Sequence, residues 1–125
     1  MKLNLYTVGT YQIIKIEEDL NIIADLHELY YIVEGYVNRD LTNIAVSFAN
    51  ANYVYSGALA VLLKCLKKIK AKKGDLCIIE PSPDIRNIFI SLGLDRLIPL
   101  HTSEDVLLTI DHDTYLLNKI APRQE

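Results

Sequence analysis

Apolar and polar positions change period several times along the chain, and each change marks an element. Residues 2–7 alternate apolar and polar side chains, Val8-Gly9-Thr10 supplies a turn, and a strand-like run covers about Tyr11 to Ile16. Together they predict a β-hairpin. Ile22, Leu26, Leu29, Val33 and Tyr36 follow at steps of four and three, the spacing that lays one apolar stripe along a helix. Gly35 lies near the end of that helix, and Asn38-Arg39-Asp40 forms a polar connection. From Asn43 to Phe48 the period returns to two, with Ile44, Val46 and Phe48 on one side and Ala45 and Ser47 on the other, as expected of a central strand.

The helical period resumes at Ser56, where Ala58, Leu62, Cys65 and Ile69 share one face and Lys64, Lys67, Lys68 and Lys70 point elsewhere. Lys73-Gly74 closes that helix with cations and a glycine. Leu76-Cys77-Ile78-Ile79 is a continuous apolar run, the signature of a strand covered on both faces. Ser82-Pro83-Asp84 combines an N-cap serine, a first-turn proline and an acidic residue near the helix dipole. Ile85, Ile88, Phe89 and Leu92 give the next helix its apolar face until Gly93. Leu97 to Leu100 predicts a short strand, and Thr102-Ser103-Glu104-Asp105 opens a last helix. The order β-β-α-β-α-β-α-β-α implies an α/β fold: a mixed sheet with an antiparallel N-terminal hairpin, a parallel remainder and about four helices.

The candidate functional face is the stretch from Asn52 to Leu63, where a buried strand hands over to an amphipathic helix. A helix start gathers unpaired N–H groups and the positive end of the dipole, so it favours acceptors and anions. Ser56 stands at this start, where an N-cap serine is worth about 1 kcal/mol over alanine. Tyr53 and Tyr55 offer the amphipathic contact area common in interfaces. If they simply pack, one of the pair faces the core and the other the solvent.

Composition narrows the function. The chain has 125 residues, half of them hydrophobic and 23% charged, which fits one folded domain with a real core. A formal net charge of −3 argues against nucleic-acid binding, which leaves a basic footprint. The local run of Lys64, Lys67, Lys68, Lys70, Lys72 and Lys73 reads as a solvated helix face. Cys65 and Cys77 have no metal-type spacing and are expected to be buried, reduced thiols. No secretory h-region precedes the first strand and no apolar run approaches the ~18 residues of a membrane span, so a cytoplasmic location without membrane insertion is expected. There is no P-loop, no dinucleotide glycine pattern and no nucleophile with a nearby base. Asp111-His112-Asp113, with His101 upstream, matches no metal-site spacing and reads as a polar hinge. Neither cofactor nor metal is expected.

Three segments, Glu18-Asp19-Leu20-Asn21, Tyr53-Val54-Tyr55-Ser56-Gly57-Ala58-Leu59, and Ser82-Pro83 through Ile88 to Leu92-Gly93-Leu94, appear in the order and spacing of a known family. The chain resembles STAS domains, shared by bacterial anti-sigma-factor antagonists and the cytoplasmic tails of sulfate transporters, over roughly residues 3–110. In antagonists the junction typically reads Asp-Ser-Ser-Gly, and the second serine is phosphorylated by a partner kinase that is itself the anti-sigma factor. With Val61-Leu62-Leu63 aligned, Tyr55 stands at the Asp, Ser56 at the first Ser, Gly57 at the acceptor Ser and Ala58 at the Gly. Asn21 replaces a frequent acidic residue and Ser47 a common strand aspartate. Sliding the alignment by one pairs Ser56 with the acceptor, but then Val54 takes the acidic position.

The resemblance implies a non-enzymatic interaction module in partner switching and transcription regulation, docking an anti-sigma factor, a kinase-like protein or another regulator. Its partner-binding residues would be Asn21, Tyr53, Tyr55, Ser56, Gly57, Ala58 and Lys64. It would carry no phosphate at Gly57, with Ser56 or Tyr55 as the remaining acceptors. The alternative is a STAS subunit of a signalling scaffold or of a lipid ABC transporter. A small enzyme or nucleotide-binding protein is the third reading. Residues 1–110 are expected to form the domain. Residues 111–125, with Tyr115, Leu116, Leu117 and Ile120, are expected to extend the last helix over an exposed side or to pair two protomers as a homodimer.

Overall fold

The computed structural model describes residues 2–18, 23–51 and 54–110. Its elements are β1 (Leu3–Val8), β2 (Tyr11–Ile16), α1 (Ile23–Asn38), β3 (Asn43–Ser47), α2 (Ser56–Ala71), β4 (Asp75–Ile79), α3 (Pro83–Ser91), a 3-10 turn (Leu94–Arg96), β5 (Leu100–His101) and α4 (Asp105–Thr109). The five strands lie side by side in chain order. β1 pairs antiparallel with β2, and β2 through β5 run parallel. The expected mixed sheet is therefore the one formed.

Strand order decides where the helices go. Parallel crossovers are right-handed almost without exception, so a sheet that grows steadily in one direction places successive crossover helices on one face. Ile14, Ile44, Val46, Phe48, Leu76 and Ile78 accordingly form one core with Leu29 and Val33 of α1, Leu62, Cys65 and Ile69 of α2, and Ile85 and Phe89 of α3. The opposite face carries Tyr11, Ile13, Ala45, Cys77 and Ile79 with Leu107 of α4. The alternation read in β3 is thus a division between two cores, and the unbroken apolar run of β4 reflects burial from both sides.

Several boundaries differ from the sequence reading. β5 is two residues long and starts at Leu100, because Leu94–Arg96 winds into a 3-10 turn first. α4 begins at Asp105, the last residue of the stretch expected to open it. At the end of α2 the left-handed residue is Lys73, with φ 60°, and not Gly74. Gly74 is needed for space: a Cβ there would stand 2.2 Å from the Thr42 carbonyl oxygen. The expected second segment, 111–125, lies outside the described residues, as does the Asp111-His112-Asp113 hinge.

Candidate functional site

β3 delivers the chain to the carboxyl edge of the parallel sheet, where ligands and partners of such sheets usually bind. Ser47, the last strand residue, is fully buried, and its hydroxyl accepts from the Ala49 amide at 3.4 Å. The following turn closes with the Ala51 amide donating to the Phe48 carbonyl at 3.1 Å. The Asn50 amide side chain donates to the Glu17 carboxylate just beyond β2. Phe48, Ala51 and Val54 are buried, so the connection is anchored by apolar residues before α2 begins.

The helix start corrects one expectation. Ser56 is the first helical residue and not the cap. Tyr55 occupies the N-cap position in an extended conformation (φ −82°, ψ 164°), and its side chain makes no capping hydrogen bond. The Tyr55 carbonyl accepts from the amides of Ala58, at 2.9 Å, and Leu59, at 3.4 Å. The turn therefore closes one residue earlier than the serine suggested. In α3, by contrast, the Ser82 hydroxyl accepts from the Ile85 amide at 3.3 Å, with Pro83 and Asp84 following, as the sequence indicated.

Within the first turn of α2, Ser56 is exposed, Gly57 half-buried and Ala58 buried. Tyr55 is half-buried and packs against the main core, with its hydroxyl oxygen out of water. Its ring lies over Gly57: a Cβ at residue 57 would stand 2.6 Å from Tyr55 Cε2 and 3.3 Å from Cδ2. Of the remaining expected site residues, Asn21 and Tyr53 lie outside the described set. The expectation that one of the two tyrosines faces the core and the other the solvent can thus be followed only at Tyr55.

Further along the helix Lys64 is exposed, and its ammonium sits 5.2 Å from the ring centroid of Tyr30 on α1. The Lys68 ammonium lies 5.6 Å from the same centroid and 2.8 Å from the Glu34 carboxylate. The Glu34 hydrogen bond, with a second contact to the Tyr30 hydroxyl, holds the Lys68 ammonium above its ordinary pKa. Lys70 and Lys72 reach Asp75 and Asp40 at 3.7 and 3.6 Å. Much of the basic run is therefore balanced locally, as a solvated face would be. Tyr30 was not among the expected site residues. Its position next to Leu29 puts it at the edge of the α1 stripe, which sequence spacing alone reads as surface.

Burial pushes the Cys65 thiol up to about 12, and burial likewise raises Cys77, helped by the charge of Asp75. Both cysteines are free and buried, the inert state in which neither serves as a nucleophile. Burial also raises the Tyr6 phenol, reinforced by its hydrogen bond to the Glu104 carboxylate and by the charges of Glu104, Glu80 and Glu17. Among the described residues no group of three or more His, Cys, Asp or Glu side chains is placed to hold a metal ion. No described helix is long and apolar enough to cross a membrane.

Solved structures with the same architecture include a candidate anti-sigma factor antagonist from Thermotoga maritima, which superposes with a TM-score of 0.78 at 18% identity over 86% of this chain and 92% of that one. The anti-sigma factor antagonist SpoIIAA in its unphosphorylated form gives 0.72 at 16% identity, over 99% and 100% of the two chains. The Bacillus cell fate determinant SpoIIAA in its phosphorylated form gives 0.67 at 18%, over 85% and 96%. A search of curated protein sequences found no significant match. The family profile described as the STAS domain matches residues 8–107, which span every element from the β1–β2 turn into α4, and the chain therefore belongs to the STAS domain family.

Proposed function

We propose that this chain is a non-enzymatic interaction module of the anti-sigma-factor-antagonist type, which docks a regulatory protein through the first turns of α2. The proposed contact surface comprises Tyr55, Ser56, Gly57 and Lys64, with Ala58 setting the helix against the core; Asn21 and Tyr53, outside the described residues, are assigned to it from the sequence. The observation that carries this reading is the residue at position 57. A domain that switches partners by phosphorylation needs a hydroxyl where a charge of about −1.5 to −2 can disrupt docking. With Val61-Leu62-Leu63 aligned to the family's helix, that position is Gly57, in the first turn of α2, and on this reading the module stays in its unphosphorylated, partner-competent form.

The test is a native pull-down from the source cell, followed by binding measurements on the recovered pair and intact-mass analysis after incubation with ATP and magnesium. Ser56→Asp and Lys64→Glu, both at exposed positions, are expected to weaken the complex at least tenfold while mass analysis shows no added phosphate on this chain. Unchanged affinity in both variants would remove α2 from the interface. A phosphate on Ser56 would restore a switching cycle with a displaced acceptor. Recovery of a membrane permease with its ATPase would instead assign the module to a transporter.

A further inference from the structure

We infer that the Tyr55 ring dictates the glycine at residue 57: it occupies the volume that a side chain there would need, so the two positions are sterically coupled at the start of α2. The inference deepens the proposed partner site and rests on that reading for its biological meaning, while its geometry stands on the chain alone. Three observations carry it. Gly57 has an ordinary helical backbone, since its φ is not among the positive values of the chain, so no backbone demand explains a glycine there. Alanine is ordinarily the better helix residue. What a side chain would meet is the Tyr55 ring, at 2.6 Å from Cε2, 3.3 Å from Cδ2 and 3.5 Å from Cζ.

The ring is not free to swing aside. Its body packs against the main core and its hydroxyl oxygen is buried, while the Tyr55 carbonyl accepts the first hydrogen bonds of α2. Both ends of the residue are held, so a Cβ at position 57 must displace an anchored ring rather than a loose side-chain tip. One consequence follows for the junction. A serine at position 57 is seated by a single substitution only at the expense of the ring's packing, and without that cost only once the neighbouring side chain becomes smaller.

A sign reversal tests this on the isolated full-length chain. In the wild-type background Gly57→Ala is expected to lower the melting temperature by about 3–8 °C, as overpacking does in a domain of this size. In a Tyr55→Ala background the same change is expected to raise it by about 2–5 °C, the ordinary gain of alanine over glycine in a helix. Equal shifts of one sign in the two backgrounds would overturn the pairing. Should Tyr55→Ala not fold, NMR of the wild-type chain decides. Cross-relaxation between the Gly57 α-protons and the Tyr55 ring, with an upfield ring-current shift of those protons, supports the inference, and absence of both refutes it. Neither readout involves a partner, so failure here is separate from failure of the Ser56→Asp and Lys64→Glu binding test.

Discussion

Gly74→Ala offers a sharp test of how the sheet is assembled. Gly74 lies between the end of α2 and the start of β4, where the chain passes close to β3. Its amide donates to the Ile69 carbonyl at 3.0 Å, and the next amide, of Asp75, donates to the Thr42 carbonyl at 3.0 Å. A Cβ at residue 74 would stand 2.2 Å from the Thr42 carbonyl oxygen, 2.5 Å from Thr42 Cβ and 2.9 Å from Ile69 Cγ2. The oxygen belongs to backbone already engaged in joining β3 to β4, so it cannot retreat without opening the first rung of that pairing, Asn43 with Asp75. Overpacking of this kind costs about 1–3 kcal/mol. Loss of one backbone hydrogen bond adds about 1 kcal/mol, and the lower chain entropy of alanine returns about 0.5–1 kcal/mol. The net expectation is a loss of about 1–3.5 kcal/mol, or roughly 3–15 °C in melting temperature. Thermal melts by circular dichroism, checked by calorimetry, measure it. Gly35→Ala in α1 is the control, since nothing lies within 4 Å of its Cβ position; it is expected to gain about 0.5–1 kcal/mol. If Gly74→Ala melts at or above the wild-type temperature, the close approach of α2's exit to Thr42 is wrong.

The two helix starts separate a capping serine from a serine that only precedes its helix's apolar run: Ser82→Ala is expected to cost about 1 kcal/mol, whereas Ser56→Ala leaves denaturant stability within about 0.5 kcal/mol, as surface changes do. With the Cys65 thiol raised to about 12 by burial, only about one molecule in ten thousand carries its thiolate at pH 8, against about a quarter for an exposed thiol. Both cysteines should therefore react with a disulfide reagent only as fast as the chain opens, and a fast phase of even one thiol under native conditions would contradict their burial. The Tyr6 phenol is raised by burial and by Glu104, so its contribution to stability is present below its ordinary value near 10 and is lost as pH climbs above it. Denaturant melts between pH 9 and 11 should show a falling midpoint that Tyr6→Phe makes shallower, and identical slopes would exclude Tyr6 as a source of the alkaline loss.

Most of the fold was legible in the order of periods. The stripe of Ala58, Leu62, Cys65 and Ile69 is buried in α2, and the split between Ile44, Val46 and Phe48 on one side and Ala45 on the other is a split between two cores. Ser82 caps α3 because its proline and aspartate admit little else. These features are local: each depends on side-chain spacing within a few residues, which is what a sequence states directly.

The candidate site was legible only in position. The junction sits at the carboxyl edge of β3, where the alternation of strands and helices placed it, and Gly57 was visible as the residue without a hydroxyl. The sequence could not show that Tyr55 rather than Ser56 occupies the cap position, because a cap is decided by which carbonyl closes the first turn. Nor could it show why residue 57 is a glycine or why residue 74 is one. The first faces the ring of Tyr55 and the second the Thr42 carbonyl, and a glycine's need for space is a property of what approaches it. Tyr30 entered the site for the same reason, through its contact with Lys64 across two helices. Periodicity along one chain determines which faces are apolar, and it led to the sheet and its helices. Packing between segments distant in the chain decided which surfaces meet, and with them the chemistry of the junction.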